Sequence, residues 1–303
     1  IIRDSRGLGR LSMLGLDGRV HVVQGSLTSF EVVERALNEY EIEYCFHLAA
    51  QAIVGAANRS PLSTFESNIR GTWMLLEAAR QSPLLKGLVF ASSDKVYGDQ
   101  PTLPYTEESP LSAAYPYDVS KLCAETIVRS YAQTFDLPVA VARCANIYGG
   151  GDLNWSRLVP GTIRSVLEGE RPVVRSDGKL QRDYMHVDDA ADAYLTLAAN
   201  MEREDVGGEV FNFGWGHGYS VLAVVEEILS AAGATVEPVV LGQNKGEIRD
   251  QWLSSEKAER VLDWRPTVKL GDGIAEAVAW YRDYLRGAPS SSDDGVPVHG
   301  GTR

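Results

Sequence analysis

The sequence predicts an α/β fold in which helices cover both faces of a parallel β-sheet, followed by a smaller mixed α/β domain. Over residues 19–144, short segments that are apolar throughout alternate with amphipathic segments. Strands without a polar face are typical of parallel sheets buried on both sides. Beyond residue 150 the alternation becomes looser. In addition, one apolar strand runs directly into a polar stretch, SSDKVYG at 92–98.

Each element follows from its local pattern. The first domain has apolar strand patterns at 19–25, 42–50, 86–93 and 138–144, and helical periodicity at 28–40, 61–81 and 116–134. The later part has helical patterns at 156–168, 187–200, 219–232 and 271–286, with short strands at 172–174, 209–213 and 237–241. We therefore predict domains at 1–150 and 151–287, with some exchange of elements between them, and a flexible tail at 288–303.

Composition excludes several classes of function. The chain has 303 residues and a net charge of −12, which disfavours binding to nucleic acid or to an anionic membrane. No apolar run approaches the roughly 20 residues of a membrane span, and no secretory signal is visible. The three cysteines contain no CxxC pair and the histidines show no paired spacing, so we expect reduced thiols, a cytoplasmic location and no metal site.

The glycine-rich turn that opens a dinucleotide-binding fold is absent. That turn normally lies under the cofactor pyrophosphate, between the first strand and the first helix. This chain instead opens with IIRD at 1–4, which resembles the second strand of such a fold. We therefore expect the first βα unit to be absent from this chain. An acid at the end of that strand, Asp4, favours NAD, whereas the neighbouring Arg3 could accept the 2′-phosphate of NADP.

A tyrosine and a lysine stand four positions apart in YPYDVSK at 115–121. On a helix, Tyr117 and Lys121 share one face, with Cβ atoms about 5–6 Å apart. An ammonium beside a phenol favours the phenolate, so Tyr117 is a candidate proton acceptor. Lys121 could also hold a cofactor ribose. The YxxxK spacing alone is weak, but here it opens a helix 24 residues after Ser93, within the parallel α/β pattern.

Taken together, the motifs resemble those of the extended short-chain dehydrogenases/reductases that act on nucleotide sugars. The resemblance rests on HLAAQ (47–51), NIRGT (68–72), SSDKVYG (92–98), YDVSK (117–121), RCANIYGGGD (143–152), QRDYMHVDD (181–189), FNFG (211–214) and LDWRP (262–266). It implies a Rossmann-type fold, a nicotinamide cofactor, a nucleotide-sugar substrate and a homodimer formed through the helices at 61–81 and 116–134.

The residues after Ser93 indicate a reaction within that family. The pair Asp94–Lys95 resembles CDP-glucose 4,6-dehydratases, as do Gln51 and the stretch GGGDLNWSRLVPGTIR at 149–164. The resemblance implies that Ser93 holds the sugar O4 and that Tyr117 takes its proton. Asp94 would protonate the departing C6 hydroxyl. Lys95 would act as the base at C5, would stabilise the enolate, or would form only a surface salt bridge.

Further site residues are implied by the same resemblance. Besides Asp4, Tyr117 and Lys121, those expected near the cofactor are Ser26, Leu27, Leu48, Ala49, Ala50, Gln51 and Asn68. Ser26 departs from relatives, which often have Asp there. Those expected near the substrate are Asn146, Arg157, Arg182 and Arg249. Arginine forks suit the anionic phosphates of a nucleotide sugar.

Two other functions stay open at this stage. A nucleotide-sugar 4-epimerase would share Tyr117, Lys121 and the cofactor, and would differ mainly in having no need of Asp94 and Lys95. A protein that binds NAD(P) as a sensor on an inactive scaffold would explain the absent glycine turn, but it would need no proton-transfer residues.

Overall fold

The computed structural model describes residues 1, 9, 11–16, 18–243 and 248–287. The expected ribose contact of Asp4 and the predicted tail at 288–303 lie outside these residues. None of the described helices is long and apolar enough to cross a membrane.

The elements alternate along the chain. The described strands are β1 (Tyr44–His47), β2 (Gly87–Ala91), β3 (Val139–Cys144), β4 (Asn146–Tyr148), β5 (Val173–Val174), β6 (Gln181–Arg182), β7 (Tyr184–His186), β8 (Val210–Phe213), β9 (Tyr219–Ser220), β10 (Val239–Val240) and β11 (Asp250–Gln251). The described α-helices are α1 (Phe30–Glu39), α2 (Val54–Arg59), α3 (Pro61–Phe65), α4 (Gly71–Gln81), α5 (Pro116–Phe135), α6 (Leu158–Leu167), α7 (Val187–Ala199), α8 (Val221–Ala232), α9 (Glu256–Leu262) and α10 (Leu270–Gly287).

The main described sheet has four parallel strands in the order β1-β2-β3-β8. Every residue of β2 and β3 is buried, which is why GLVFA and VAVARC are apolar almost throughout. Successive side chains point to opposite faces: Leu88 and Phe90 pack in one core, whereas Val89 packs in the other. The predicted fold class, a parallel sheet between two layers of helices, is confirmed.

Helices supply the two cores beside this sheet. On one face, α1, α4 and α5 contribute side chains such as Val33, Leu76 and Val128. On the other face, α7 contributes Ala193 and Leu197. Because the sheet is sandwiched in this way, ligands have access mainly at the carboxyl ends of its strands.

A third core lies in the later part of the chain. It joins α6, α8 and α10 through Ile163, Val224, Ile228 and Ile274. Small sheets accompany it, pairing β4 with β7, β5 with β10, and β6 with both β9 and β11. The strand β8 comes after β4–β7 in the sequence, but it pairs with β3 of the main sheet.

Some predicted elements differ from the structure. Residues 19–25 form one bridge position, at Gln24, rather than a strand. A strand needs a hydrogen-bonding neighbour, and none of the named strands in the described part of the chain pairs with this segment. The single helix predicted at 61–81 is divided into α3 and α4 by a π-helical turn at Glu66–Arg70. The helices α2 and α9 were not predicted.

Candidate active site

The polar stretch after β2 forms a short, capped 3₁₀-helix at Asp94–Tyr97. The Ser93 hydroxyl accepts a hydrogen bond from the Lys95 amide (3.3 Å) and donates one to Asp94 Oδ1 (3.1 Å). The turn ends at Gly98, whose φ is 67°. A Cβ there would lie 2.1 Å from the Ser112 carbonyl oxygen, so only glycine fits. The motif SSDKVYG therefore fixes its own polar side chains at the strand end.

A cavity of about 970 Å³ opens at the carboxyl ends of β2 and β3. This volume lies in the range typical of small-molecule sites, roughly 300–1,000 Å³. All five predicted catalytic residues line it: Ser93, Asp94, Lys95, Tyr117 and Lys121. Side chains from a strand end and from a helix 24 residues further along the chain thus face one compartment.

Tyr117 lies in the first turn of α5, which begins at Pro116. The neighbouring Ser93 hydroxyl favours the phenolate, but burial outweighs this and raises the pKa of Tyr117 to about 12. We expected Lys121 to lower this pKa, but the net effect of the surroundings is to raise it. The reason is that desolvation of the phenolate is the largest effect, and the nearby carboxylate of Asp94 adds to it.

Lys121 is 4% exposed, and its ammonium is directed at the sheet. Nζ donates to the Ala91 carbonyl oxygen at 2.7 Å and lies 5.3 Å from the centre of the Phe90 ring. Burial lowers the pKa of Lys121 to about 8. The chain therefore holds a costly buried amine at the cavity wall, which is typical of a functional position.

Replacing Lys121 by Met is expected to stabilise the ligand-free protein while impairing its activity. The folded-state pKa of Lys121 lies below its usual value, so the unfolded state binds more protons between about pH 8 and 10.5. The free energy of unfolding should therefore increase by about 1–3 kcal/mol at pH 7, and this increase should shrink as the pH rises through that window. Urea unfolding at pH 7 and pH 10 measures it. Lys86→Met, at an exposed ion pair with Glu43, is the control and should change little. A loss of stability at pH 7 would contradict this account.

Asp94 and Lys95 form a pair that is not a solvated surface salt bridge. The side chain of Asp94 is 3% exposed and that of Lys95 21%, with Nζ 3.7 Å from Asp94 Oδ1. Lys95 Nζ also donates to Gln251 Oε1 at 3.1 Å. Asp94 Oδ2 is buried and has no hydrogen-bond partner among the described residues. A buried carboxylate oxygen without a partner is unusual in a folded protein and favours a functional role for Asp94.

A buried polar network lies behind the site. Ser92 Oγ donates to Glu125 Oε2 at 2.6 Å, and the Arg143 guanidinium binds both carboxylate oxygens of Glu125. Arg143 also donates to the Tyr97 hydroxyl at 2.7 Å, which in turn donates to Asn212 at 2.7 Å. The network connects α5, which carries Tyr117 and Lys121, to the catalytic turn. It therefore helps to set the distance between the two halves of the site.

The predicted cofactor residues divide into two groups. Leu48 and Ala50 line the cavity. Asn68 lies in the π-helical turn and forms two hydrogen bonds with the backbone of Gln51. Its Oδ1 accepts from the Gln51 amide at 2.7 Å, and its Nδ2 donates to the Gln51 carbonyl oxygen at 3.2 Å. Asn68 also donates to Ser120 Oγ on α5 at 2.8 Å. It thus fixes the loop after β1 against the helix that carries Tyr117.

The remaining cofactor candidates stand back from the cavity. Ser26, Leu27 and Ala49 are described residues but are not among those that line it. Ser26 Oγ is hydrogen-bonded to the hydroxyl and the amide of Thr28, at 2.8 and 3.3 Å, so it supports the turn before α1. Their predicted cofactor contacts stay predictions.

Three of the four predicted substrate residues line a cavity, and the fourth does not. Asn146 and Arg157 line the main cavity, and with Arg182 they also line a smaller adjoining one of about 310 Å³. The Arg182 guanidinium donates to the Arg249 carbonyl oxygen at 3.0 Å and also to that of Ile248. The Arg249 side chain is 84% exposed and is 3.6 Å from Asp250. Arg249 is not among the described residues that line either cavity.

Sequence reasoning missed two residues beside Lys95. Asp118, within YDVSK, lines the smaller cavity with Lys95, and burial raises its pKa to about 6. Gln251, directly after Asp250, is fully buried against Lys95 and Asp94. Asp118 had a signal, since it adjoins Tyr117 in a quoted motif. Gln251 had none, because its contact with Lys95 spans 156 positions of the chain.

Comparison with protein families and relatives agrees with this geometry. A sequence model described as the NAD dependent epimerase/dehydratase family matches residues 4–214. The chain is 28% identical over 280 residues to the CDP-glucose 4,6-dehydratase of Salmonella typhimurium, covering 87% of this chain and 77% of the relative. It is 32% identical over 249 residues to a UDP-glucose 4-epimerase of Mycolicibacterium smegmatis, covering 82% and 78%. A dehydratase and an epimerase are thus similar to this chain at comparable levels of sequence identity.

Solved structures give the same picture. The UDP-glucose 4-epimerase of Thermotoga maritima, solved with UDP-glucose, has a TM-score of 0.81 at 32% identity and covers 86% of this chain and 84% of its own. The dTDP-glucose 4,6-dehydratase of Streptomyces venezuelae, solved with NAD, has a TM-score of 0.81 at 29% identity, covering 90% and 83%. The fold is therefore shared with enzymes of both reaction types, and it does not separate them.

Proposed function

The chain belongs to the NAD-dependent epimerase/dehydratase family, and on that premise we propose that it is a nucleotide-sugar 4,6-dehydratase. The substrate that we favour is CDP-glucose or a close analogue, and the product is the 4-keto-6-deoxy sugar nucleotide. The observation that carries the proposal is the buried Asp94–Lys95 pair, which lines the same cavity as Ser93 and Tyr117. A 4-epimerase exchanges hydride and proton at C4 and needs no such pair.

The residues around the cavity fit a nicotinamide dinucleotide. Lys121 offers a buried amine at the carboxyl ends of the strands, and the loop after β1 is held beside it by Asn68. When bound, NAD supplies a hydride acceptor and a positive ring charge. We propose NAD rather than NADP, from the expected role of Asp4 and because the Streptomyces venezuelae dehydratase was solved with NAD.

Tyr117 and Ser93 serve the oxidation at C4. Ser93 holds the sugar O4 by a hydrogen bond, and Tyr117 takes the proton from that hydroxyl. The pKa of Tyr117, about 12, must fall before it can do so. A positive charge near the phenol, such as a bound nicotinamide would supply, would lower that pKa.

Asp94 and Lys95 serve the elimination of water. The C5–H bond breaks and its proton goes to a base, while the C6–O bond breaks and the oxygen leaves with a proton from Asp94. We assign the base to Lys95 and the acid to Asp94, so that the step leaves an ammonium and a carboxylate. Returning hydride to C6 and a proton to C5 gives the product, so one water is the only net loss. The 3.7 Å between Lys95 Nζ and Asp94 Oδ1 supports this assignment of acid and base.

Incubation with CDP-glucose tests the proposal. The expected product has lost one water by mass spectrometry and carries a ketone at C4 and a methyl group at C6 by NMR. Asp94→Asn should abolish the loss of water but retain the hydride transfer from C4. dTDP-glucose and UDP-glucose, assayed in parallel, identify the preferred nucleotide. A product that is inverted at C4 and retains its C6 hydroxyl would establish the epimerase instead.

Two further aspects belong to the proposal. A homodimer through the helices at 61–81 and 116–134 is supported by apolar side chains exposed on the first of them, Leu62 (74%) and Trp73 (39%). A cytoplasmic location is supported by three free cysteines. A non-catalytic sensor is the least favoured function, because a buried acid, an amine and a phenol in one cavity are costly without proton transfer.

A further inference from the structure

Gln251 connects the catalytic pair to a separate part of the fold. Its side chain is fully buried, and both ends of the amide are used. Nε2 donates to the Asp94 carbonyl oxygen at 2.7 Å, and Oε1 accepts from Lys95 Nζ at 3.1 Å. Gln251 lies on β11, which pairs in parallel with β6 in the later part of the chain. One amide thus holds the backbone of one catalytic residue and the side chain of the other.

We propose that Gln251 is a positioning residue that holds the Lys95 amine beside Asp94 for the elimination of water. This inference rests on the proposed dehydratase function and deepens it. The side-chain amide of Gln251 makes no hydrogen bond to Tyr117 or Ser93, so we expect its main effect on the step that uses Lys95. The oxidation at C4 should proceed without it.

An amide suits this position better than a carboxylate would. A neutral carbonyl oxygen accepts a hydrogen bond from an ammonium and from a neutral amine alike, so Lys95 stays fixed while its proton moves. A carboxylate would favour the ammonium and raise the pKa of the amine. The other charged groups around Lys95 are Asp94 and, in the adjoining cavity, Asp118, Arg157 and Arg182. Asp94 and Asp118 already adjoin this amine, so a further acid at position 251 should favour the ammonium.

The test measures the two half-reactions separately in single turnovers with CDP-glucose. Gln251→Leu should leave the rate of nicotinamide reduction within about twofold of wild type and should slow the loss of water about 100-fold, because a misplaced group commonly costs that much. Asp250→Asn, the neighbouring position on the same strand, is the matched control and should leave both rates unchanged. Thermal unfolding of each variant establishes that it is folded.

Gln251→Glu gives a second readout that a purely structural role would not change. This variant keeps the size of the side chain and adds a charge, so the low-pH limb of the water-loss profile should move up by about one to three pH units. An unmoved profile overturns the inference, as does an equal slowing of both half-reactions in Gln251→Leu. A wild-type enzyme that only inverts C4 would instead refute the proposed function, and the inference with it.

Discussion

Tyr117→Phe is expected to lower turnover by about 10²–10⁴-fold, the usual contribution of a positioned proton-transfer group. Phe retains the ring and its packing, so the variant should fold normally. What it loses is the hydroxyl, which neighbours Ser93 in the cavity. Without that oxygen no group receives the O4 proton, and hydride cannot leave C4. Both the first half-reaction and overall turnover should therefore fall together.

The measurement is the rate of nicotinamide reduction on mixing with CDP-glucose, with substrate affinity measured separately by calorimetry. Tyr131→Phe is the matched control, because Tyr131 lies on the same helix and its hydroxyl donates to the surface residue Glu77 at 3.3 Å. It should retain wild-type rates. If Tyr117→Phe kept more than about a tenth of wild-type turnover, another group would be the proton acceptor.

Glu125→Ala is expected to destabilise the fold by about 3–5 kcal/mol, the usual result of removing one partner from a buried ion pair. Glu125 is 0% exposed and Arg143 is 1% exposed, so the substitution leaves a guanidinium in the core without its counter-charge. Ser92 loses its hydrogen-bond acceptor at the same time. The effect should be much larger than that of Glu77→Ala, whose partner Arg80 is 37% exposed.

Urea unfolding at pH 7 measures both variants. A double variant, Glu125→Leu with Arg143→Met, should recover a large part of the lost stability, because it removes the stranded charge as well as the pair. It should nevertheless stay poorly active, since the link between α5 and the catalytic turn is then missing. A loss below about 1 kcal/mol in Glu125→Ala would mean that solvent reaches Arg143 after all.

The parts of the fold that could be predicted are those that local pattern controls. The segments GLVFA and VAVARC are apolar because the sheet is buried on both faces, so their patterns predicted β2 and β3 correctly. The segment at 19–25 contains three valines but forms no strand, because strand formation also depends on a hydrogen-bonding neighbour that composition does not specify. The π-helical turn at Glu66–Arg70 was likewise invisible, since its sequence is compatible with an α-helix.

The same division applies to the site. The four-residue spacing of Tyr117 and Lys121, together with the parallel sheet, was sufficient to predict that both face the cavity of Ser93 and Asp94. The sign of the pKa shift at Tyr117 was not predictable, because it depends on how far burial outweighs nearby charges. The hydrogen bonds of Gln251 to Asp94 and Lys95 depend on the placement of β11, which only the tertiary structure defines.

The return of β8 to the main sheet also constrains the order in which the chain can fold. Val141 of β3 pairs with Val210, so the last described strand of the main sheet is made only after a large part of the second region has been synthesised. Contacts between residues that are distant in sequence form slowly, and until β8 is available one edge of β3 lacks its hydrogen-bonding strand. A nascent chain on the ribosome would thus complete the main sheet only after part of the second region has emerged, and a fragment cut near residue 150 would lack the strand β8 that pairs with β3.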